Sequence, residues 1–133
     1  MPNQNFQPQV RSHGDTLAIC PDIRRQRIII EGIYSLPAVS EETVREVLSG
    51  LSDCLAMTPI ADTLIFSPDS VSKLHHGIGG YQAWAESGCS FYTWRERHFF
   101  TLDIYTCKEI EVNDCLAFIC DLLRIEKLSW REV

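Results

Sequence analysis

The run WAESGCSFYTWRE, Trp84 to Glu96, is the stretch from which the fold can be read. On its upstream side, Gly80 to Glu86 has the composition of a strand, and Ser87-Gly88 reads as a turn. Cys89 to Trp94 is a second strand, and the charged Arg95-Glu96-Arg97 leads into a third, His98 to Thr106. Three strands joined by connections this short run antiparallel, because parallel neighbours need a crossover of a dozen residues or more.

The flanks extend this sheet and add two helices. Upstream, Ile28-Ile29-Ile30-Glu31-Gly32-Ile33-Tyr34 reads as a buried strand carrying one carboxylate. Ser40 followed by Glu41-Glu42 is a helix cap with acids at the positive end of the dipole. Val44, Val47, Leu48, Leu51 and Leu55 give that helix its apolar stripe. A strand over Pro59 to Phe66 and a loop over Ser67 to His76 lead into the opening stretch. Downstream, a helix begins at Asn113-Asp114 with Leu116, Ile119, Cys120 and Leu123 inward, and Ile125 to Val133 forms a last strand. This order predicts an α+β two-layer sandwich, a mainly antiparallel sheet with helices on one face. The other face is left bare and predicts a homodimer. Residues 1–26, with Pro2, Pro8 and Pro21, read as a flexible arm, and residues 27–133 as the folded domain.

Composition narrows the partners. A chain of 133 residues, 45% hydrophobic and 23% charged, suits one compact domain. A net charge of -6 argues against nucleic acid and anionic membranes, so a small molecule or another protein is the expected partner. No apolar run reaches the roughly 18 residues of a membrane span, and the opening lacks a signal pattern, which predicts a cytoplasmic protein. Six cysteines without a C-x-x-C, beside His75-His76, match no zinc spacing, so buried thiols and no metal are expected.

Ala85-Glu86-Ser87, Thr93-Trp94-x-Glu96 and Asp103-Ile104-Tyr105-Thr106-Cys107, in that order and spacing, resemble the bacterial S-adenosylmethionine decarboxylase family over residues 27–133. The resemblance implies a proenzyme that cuts itself between Glu86 and Ser87, leaving a pyruvoyl group made from Ser87. It further implies decarboxylation of S-adenosylmethionine in spermidine (polyamine) synthesis. A serine hydroxyl attacks the carbonyl before it, the amide becomes an ester, and loss of the serine α-proton releases the upstream chain. Gly88 would ease the turn that brings hydroxyl and carbonyl together. By the same resemblance Cys107 returns a proton to the substrate, Glu96 binds a ribose diol and Glu31 lines the pocket.

Several positions depart from the family pattern. A histidine five residues after the cleavage serine is replaced by Tyr92, and a serine eight residues before it by Gly79. Tyrosine is a poor base at neutral pH and glycine carries no donor, so His75, His76 or His98 would have to substitute. The positions matched to the rings that hold adenine carry Ile30 and Lys73. Two further readings stay open: an uncut pseudoenzyme, without a cofactor, that binds a metabolite or a relative, and a decarboxylase of another amino acid or amine. A structural dimer module is disfavoured by the retained Glu31, Glu96 and Cys107.

Overall fold

The computed structural model describes residues 14–133, so half of the arm, residues 1–13, lies outside the described residues. Ahead of the sheet, Arg25 donates to the carbonyls of Thr16, Cys20 and Ile23 and gathers a single 3-10 turn, Thr16–Ile19. Then follow β1 (Gln26–Tyr34), α1 (Glu41–Cys54), β2 (Leu64–Phe66), β3 (Gly79–Trp84), β4 (Ser87–Trp94), β5 (Phe99–Thr106), α2 (Val112–Leu123) and β6 (Ile125–Glu132). The strands form one sheet in the order β2-β3-β4-β5-β1-β6, and every neighbouring pair is antiparallel.

α1 starts where its cap predicts. Ser40 Oγ accepts from the Thr43 N–H and Thr43 Oγ1 accepts from the Ser40 N–H, satisfying two donors that the first turn leaves unpaired. Its stripe of Val44, Val47, Leu48 and Leu51, with Leu55 beyond its end, is buried. α2 begins one residue earlier than expected, capped by the Glu111 carboxylate, and buries Cys115, Ile119 and Leu123. Leu116 lies at the margin of the core and Cys120 is exposed, so the inward stripe is the straight i, i+4, i+8 row. Both helices cover the same sheet face, where Ile30, Leu102 and Phe91 stand in register across three adjacent strands. The molecule is therefore an α+β two-layer sandwich.

Two local expectations fail for identifiable reasons. The strand expected over Pro59–Phe66 shrinks to Leu64–Phe66, with Pro59 keeping only an isolated bridge to Trp84, since proline has no N–H for the ladder. The hairpin turn falls at Ala85-Glu86 instead of Ser87-Gly88, and Trp84 and Ser87 close it as a pair.

Among the described residues, no element covers the face away from the helices. Tyr81, Tyr92 and Tyr105 are partly exposed there, and Glu31 and Asp103 sit near each other on adjacent strands. Burial, and then the negative charge of Glu31, raises the Asp103 carboxyl above its usual range. A carboxyl raised in the folded state adds stability below its unfolded pKa, and that stability is lost as pH rises through the folded value. Asp103→Asn is therefore expected to raise the melting temperature at pH 7 relative to the wild type and to lose that advantage below about pH 4.

On the covered face, the buried Trp84 Nε1–H donates to Ser52 Oγ at 2.7 Å, and Ser52 donates to the Leu48 carbonyl at 2.9 Å. Ser52→Ala leaves the indole N–H buried without a partner, so urea unfolding should show a loss of about 1–3 kcal/mol.

Candidate active site

The hairpin of β3 and β4 delivers Glu86 and Ser87 to the end of the sheet, beside the last residues of β5. Ser87 lies directly opposite Thr106, and its hydroxyl donates to Thr106 Oγ1 at 2.6 Å, with Met57 Sδ at 3.7 Å. The Glu86 carbonyl accepts from the Cys107 N–H at 2.8 Å. Both partners of an acyl shift are thus held: a hydroxyl with a fixed direction, and a carbonyl whose oxygen faces a main-chain donor. The Cys107 thiol lies 3.4 Å from the Tyr105 hydroxyl, and the Arg27 guanidinium sits 5.2 Å above the Tyr105 ring.

Gly88 serves a purpose other than the one expected. It lies within β4, outside the left-handed backbone region, and a Cβ there would collide with the Tyr81 hydroxyl. Its absent side chain admits Tyr81 to the open face instead of relaxing a turn.

The opposite end of β4 builds a second cluster. Trp94, Phe99, Ile33, Lys73, His76 and Glu96 line a cavity of ≈ 1040 Å³. That volume is large enough for a small organic ligand. Among the described residues Glu96 makes no salt bridge, because the neighbouring Arg95 pairs instead with Asp69 at 2.7 Å. Asp69 also accepts from the Gly77 N–H at 2.8 Å. The hydrogen bond from Arg95, then that from Gly77, holds the Asp69 carboxyl below its usual range. These contacts tie down the loop that carries Lys73, His75 and His76.

His75 is the histidine that the fold brings beside Tyr92. Its ring stacks on Trp94 with centroids 4.0 Å apart and lies 6.0 Å from the Tyr92 ring. Nε2 contacts the Thr93 carbonyl at 2.8 Å. A carbonyl only accepts, so in the neutral ring Nε2 holds the proton and Nδ1 keeps a lone pair. His98 stacks on Tyr34 elsewhere, and His76 contacts the Ser72 carbonyl.

The two clusters stand far apart within one copy. Ser87 and Trp94 are the two ends of β4. At the usual strand rise that length is about 23 Å. Glu86, Ser87 and Cys107 are gathered at one end, and Tyr92, Gly79 and Glu96 at the other, with Gly79 and Tyr92 as direct cross-strand partners. Glu31 lies between them on the open face, accepting from Thr101 Oγ1 at 3.0 Å.

Ile30 does not belong to the pocket. It is fully buried beneath the helices, because the alternation of β1 sends Glu31 and Ile30 to opposite faces. Lys73 does line the cavity, and its aromatic surface comes from Trp94 and Phe99, whose ring centroids are 5.1 Å apart. Strict alternation along β4 and β5 was the signal for both rings. Gly79 has no room for a side chain: a Cβ would meet the Phe91 carbonyl oxygen at 2.5 Å and the Phe66 ring at 2.9 Å.

All six cysteines are free thiols, and burial pushes that of Cys115 up to about 12. Among the described residues no group of three or more metal-ligating side chains comes together, and no helix is long and apolar enough to cross a membrane.

Comparison with known proteins agrees with this architecture. The adenosylmethionine decarboxylase of Aquifex aeolicus superposes with a TM-score of 0.65 over 84% of this chain and 89% of that chain; at 21% identity this is a likeness of fold. The S-adenosylmethionine decarboxylase proenzyme of Thermoplasma acidophilum is 41% identical over 104 residues, covering 77% of this chain and 74% of the relative. Residues 28–133 match the family described as S-adenosylmethionine decarboxylase, and with the hairpin, the cysteine and the sheet in register the chain belongs to that family.

Proposed function

We propose that the chain is a self-processing proenzyme that cuts between Glu86 and Ser87 and decarboxylates S-adenosylmethionine, feeding spermidine synthesis. The observation that carries this reading is the pair of contacts at the hairpin, Ser87 Oγ to Thr106 and the Cys107 N–H to the Glu86 carbonyl. The residues present fit a pyruvoyl group formed in place, since its precursor serine and the scissile carbonyl are both positioned. That group supplies a ketone able to take up the electrons released with carbon dioxide. Cys107, adjoining the cut, is the proton donor to the substrate. Glu96 accepts from the ribose hydroxyls, Trp94 and Phe99 offer a surface for the base, and Glu31 lines the path between the two ends.

A span of about 23 Å between Ser87 and Trp94 exceeds the reach of one nucleoside. A homodimer is therefore part of the proposal. Two open faces apposed with their β4 strands antiparallel bring the Ser87 end of one copy to the Glu96 end of the other. His75, beside Tyr92, then serves as the base that the strand itself lacks. Six free thiols suit a reducing cytoplasm.

The uncut reading draws support from Gly79, where packing leaves no space for a processing side chain. Intact mass under denaturing conditions decides between the two. The proenzyme reading expects fragments 1–86 and 87–133, the second bearing a pyruvoyl start. A single full-length mass after long incubation would sink it. Ser87→Ala should stay uncut, whereas Cys107→Ala should be cut yet lose about 100-fold or more in turnover.

Restoring the family serine should not help. Gly79→Ser forces the Phe66 ring and the Phe91 carbonyl apart, so thermal unfolding should show a loss of about 1–3 kcal/mol without faster cleavage.

A further inference from the structure

We infer that Thr106 is a positioning residue for the bond rearrangement at Ser87, fixing the direction of its hydroxyl while the next residue holds the carbonyl to be attacked. The inference rests on the self-processing proposed above.

Thr106 is the last residue of β5 and is fully buried. Its single hydroxyl proton goes to the Lys108 carbonyl at 3.0 Å, a group that only accepts. Its lone pairs take the Lys108 N–H at 2.9 Å and the Ser87 hydroxyl at 2.6 Å. With its own proton committed, Thr106 Oγ1 can only accept from Ser87. The Ser87 O–H vector is thereby set, and the oxygen's lone pairs are left free for its own preceding peptide. Lys108 is itself anchored, donating from Nζ to the Ala56 carbonyl at 2.7 Å. The Cys107 N–H meets the Glu86 oxygen at 2.8 Å, where negative charge develops in the tetrahedral intermediate. Two consecutive residues of one strand end thus address the two reacting groups of the opposite hairpin.

In the step itself the Ser87 Oγ to Glu86 carbonyl-carbon bond forms and the Glu86 carbon to Ser87 nitrogen bond breaks. The hydroxyl proton ends on the freed Ser87 amine, so amide becomes ester with no atom gained or lost. Thr106 does not take the proton, because its hydroxyl has no acceptor other than a carbonyl to pass one to; it orients.

The full chain is purified promptly and followed by intact mass, with and without hydroxylamine, which cleaves an ester at Ser87 before elimination. Thr106→Val should slow the appearance of hydroxylamine-cleavable ester about 10- to 100-fold, and Thr106→Ser should return it to within about threefold of wild type. In a Ser87→Cys background, whose thiol is a weak hydrogen-bond donor, Thr106→Val should cost less than about threefold. Equal slowing in both backgrounds means that Thr106 only supports the Lys108 turn, and overturns the inference. So does a Thr106→Ser chain as slow as Thr106→Val, which also covers a valine variant that fails to fold. If wild type cuts and Thr106→Val cuts equally fast, the positioning role falls while the proenzyme reading stands. If wild type yields neither ester nor fragments, both fall together.

Discussion

Eight consecutive residue pairs join β4 to β5, from Ser87 opposite Thr106 to Trp94 opposite Phe99, and the rest of the molecule depends on that register. Side chains alternate with a period of two, so a slip of one residue would send Phe91 and Leu102 to the open face and draw Tyr92 and Thr101 into the core. The same slip would part Ser87 from Thr106 and the Glu86 carbonyl from the Cys107 amide. Core burial and site geometry are therefore one constraint. Phe91, Phe100, Leu102 and Ile104 are all buried, and the large cost of exposing them holds the Glu86-Ser87 hairpin in place.

The open face obeys a different balance. Carboxylates on a sheet are expensive to cover unless they find partners, yet Glu31 and Asp103 stand between tyrosines, with Arg27 held against the Tyr105 ring nearby. Glu31 takes one hydrogen bond from Thr101, and the Asp103 carboxyl is raised first by its burial and then by the negative charge of Glu31. A face with this composition suits a cationic ligand better than a dry protein interface. In the proposed dimer, a sulfonium or ammonium group between the two faces would offset the negative charge of this pair.

Legibility in the sequence followed the strength of the local signal. The capping residues and stripe of α1 were readable because a buried helix face repeats without ambiguity over four turns. Ile28-Ile29-Ile30 was not, because a continuous apolar run does not say which side faces the helices; packing decided that Ile28 and Ile30 do and Ile29 does not. Glu-Ser-Gly carried a genuine turn signal, yet the turn closed two residues earlier, since Gly88 was needed in the strand to admit Tyr81. Pro59 broke a strand that its apolar neighbours suggested. Within the site, Ser87 and Cys107 were visible through the family resemblance of the motifs that hold them. Thr106 was hidden, since a threonine inside a strand is ordinary until its partner across the ladder is known.

Tyr92, which stands where the resemblance implies a histidine, gains a physical setting from the loop before β3. Phe66 leans against Tyr92 with ring centroids 5.0 Å apart and also fills the space over Gly79, so the glycine, the phenylalanine and the tyrosine pack as one unit. A serine at 79 would press on the Phe66 ring, and an imidazole at 92 would give that ring a smaller surface to lean on than tyrosine does. The basic nitrogen is found one layer further out: His75 rests on Trp94, is pinned through Nε2 to Thr93, and is held there by a loop closed on Asp69 and Arg95. On the proposed reaction the base has moved from strand to loop. On that proposal proton removal would depend on the Asp69–Arg95 tether, an exposed ion pair that salt screens, where the pattern implied by the resemblance would bind it to the rigid sheet.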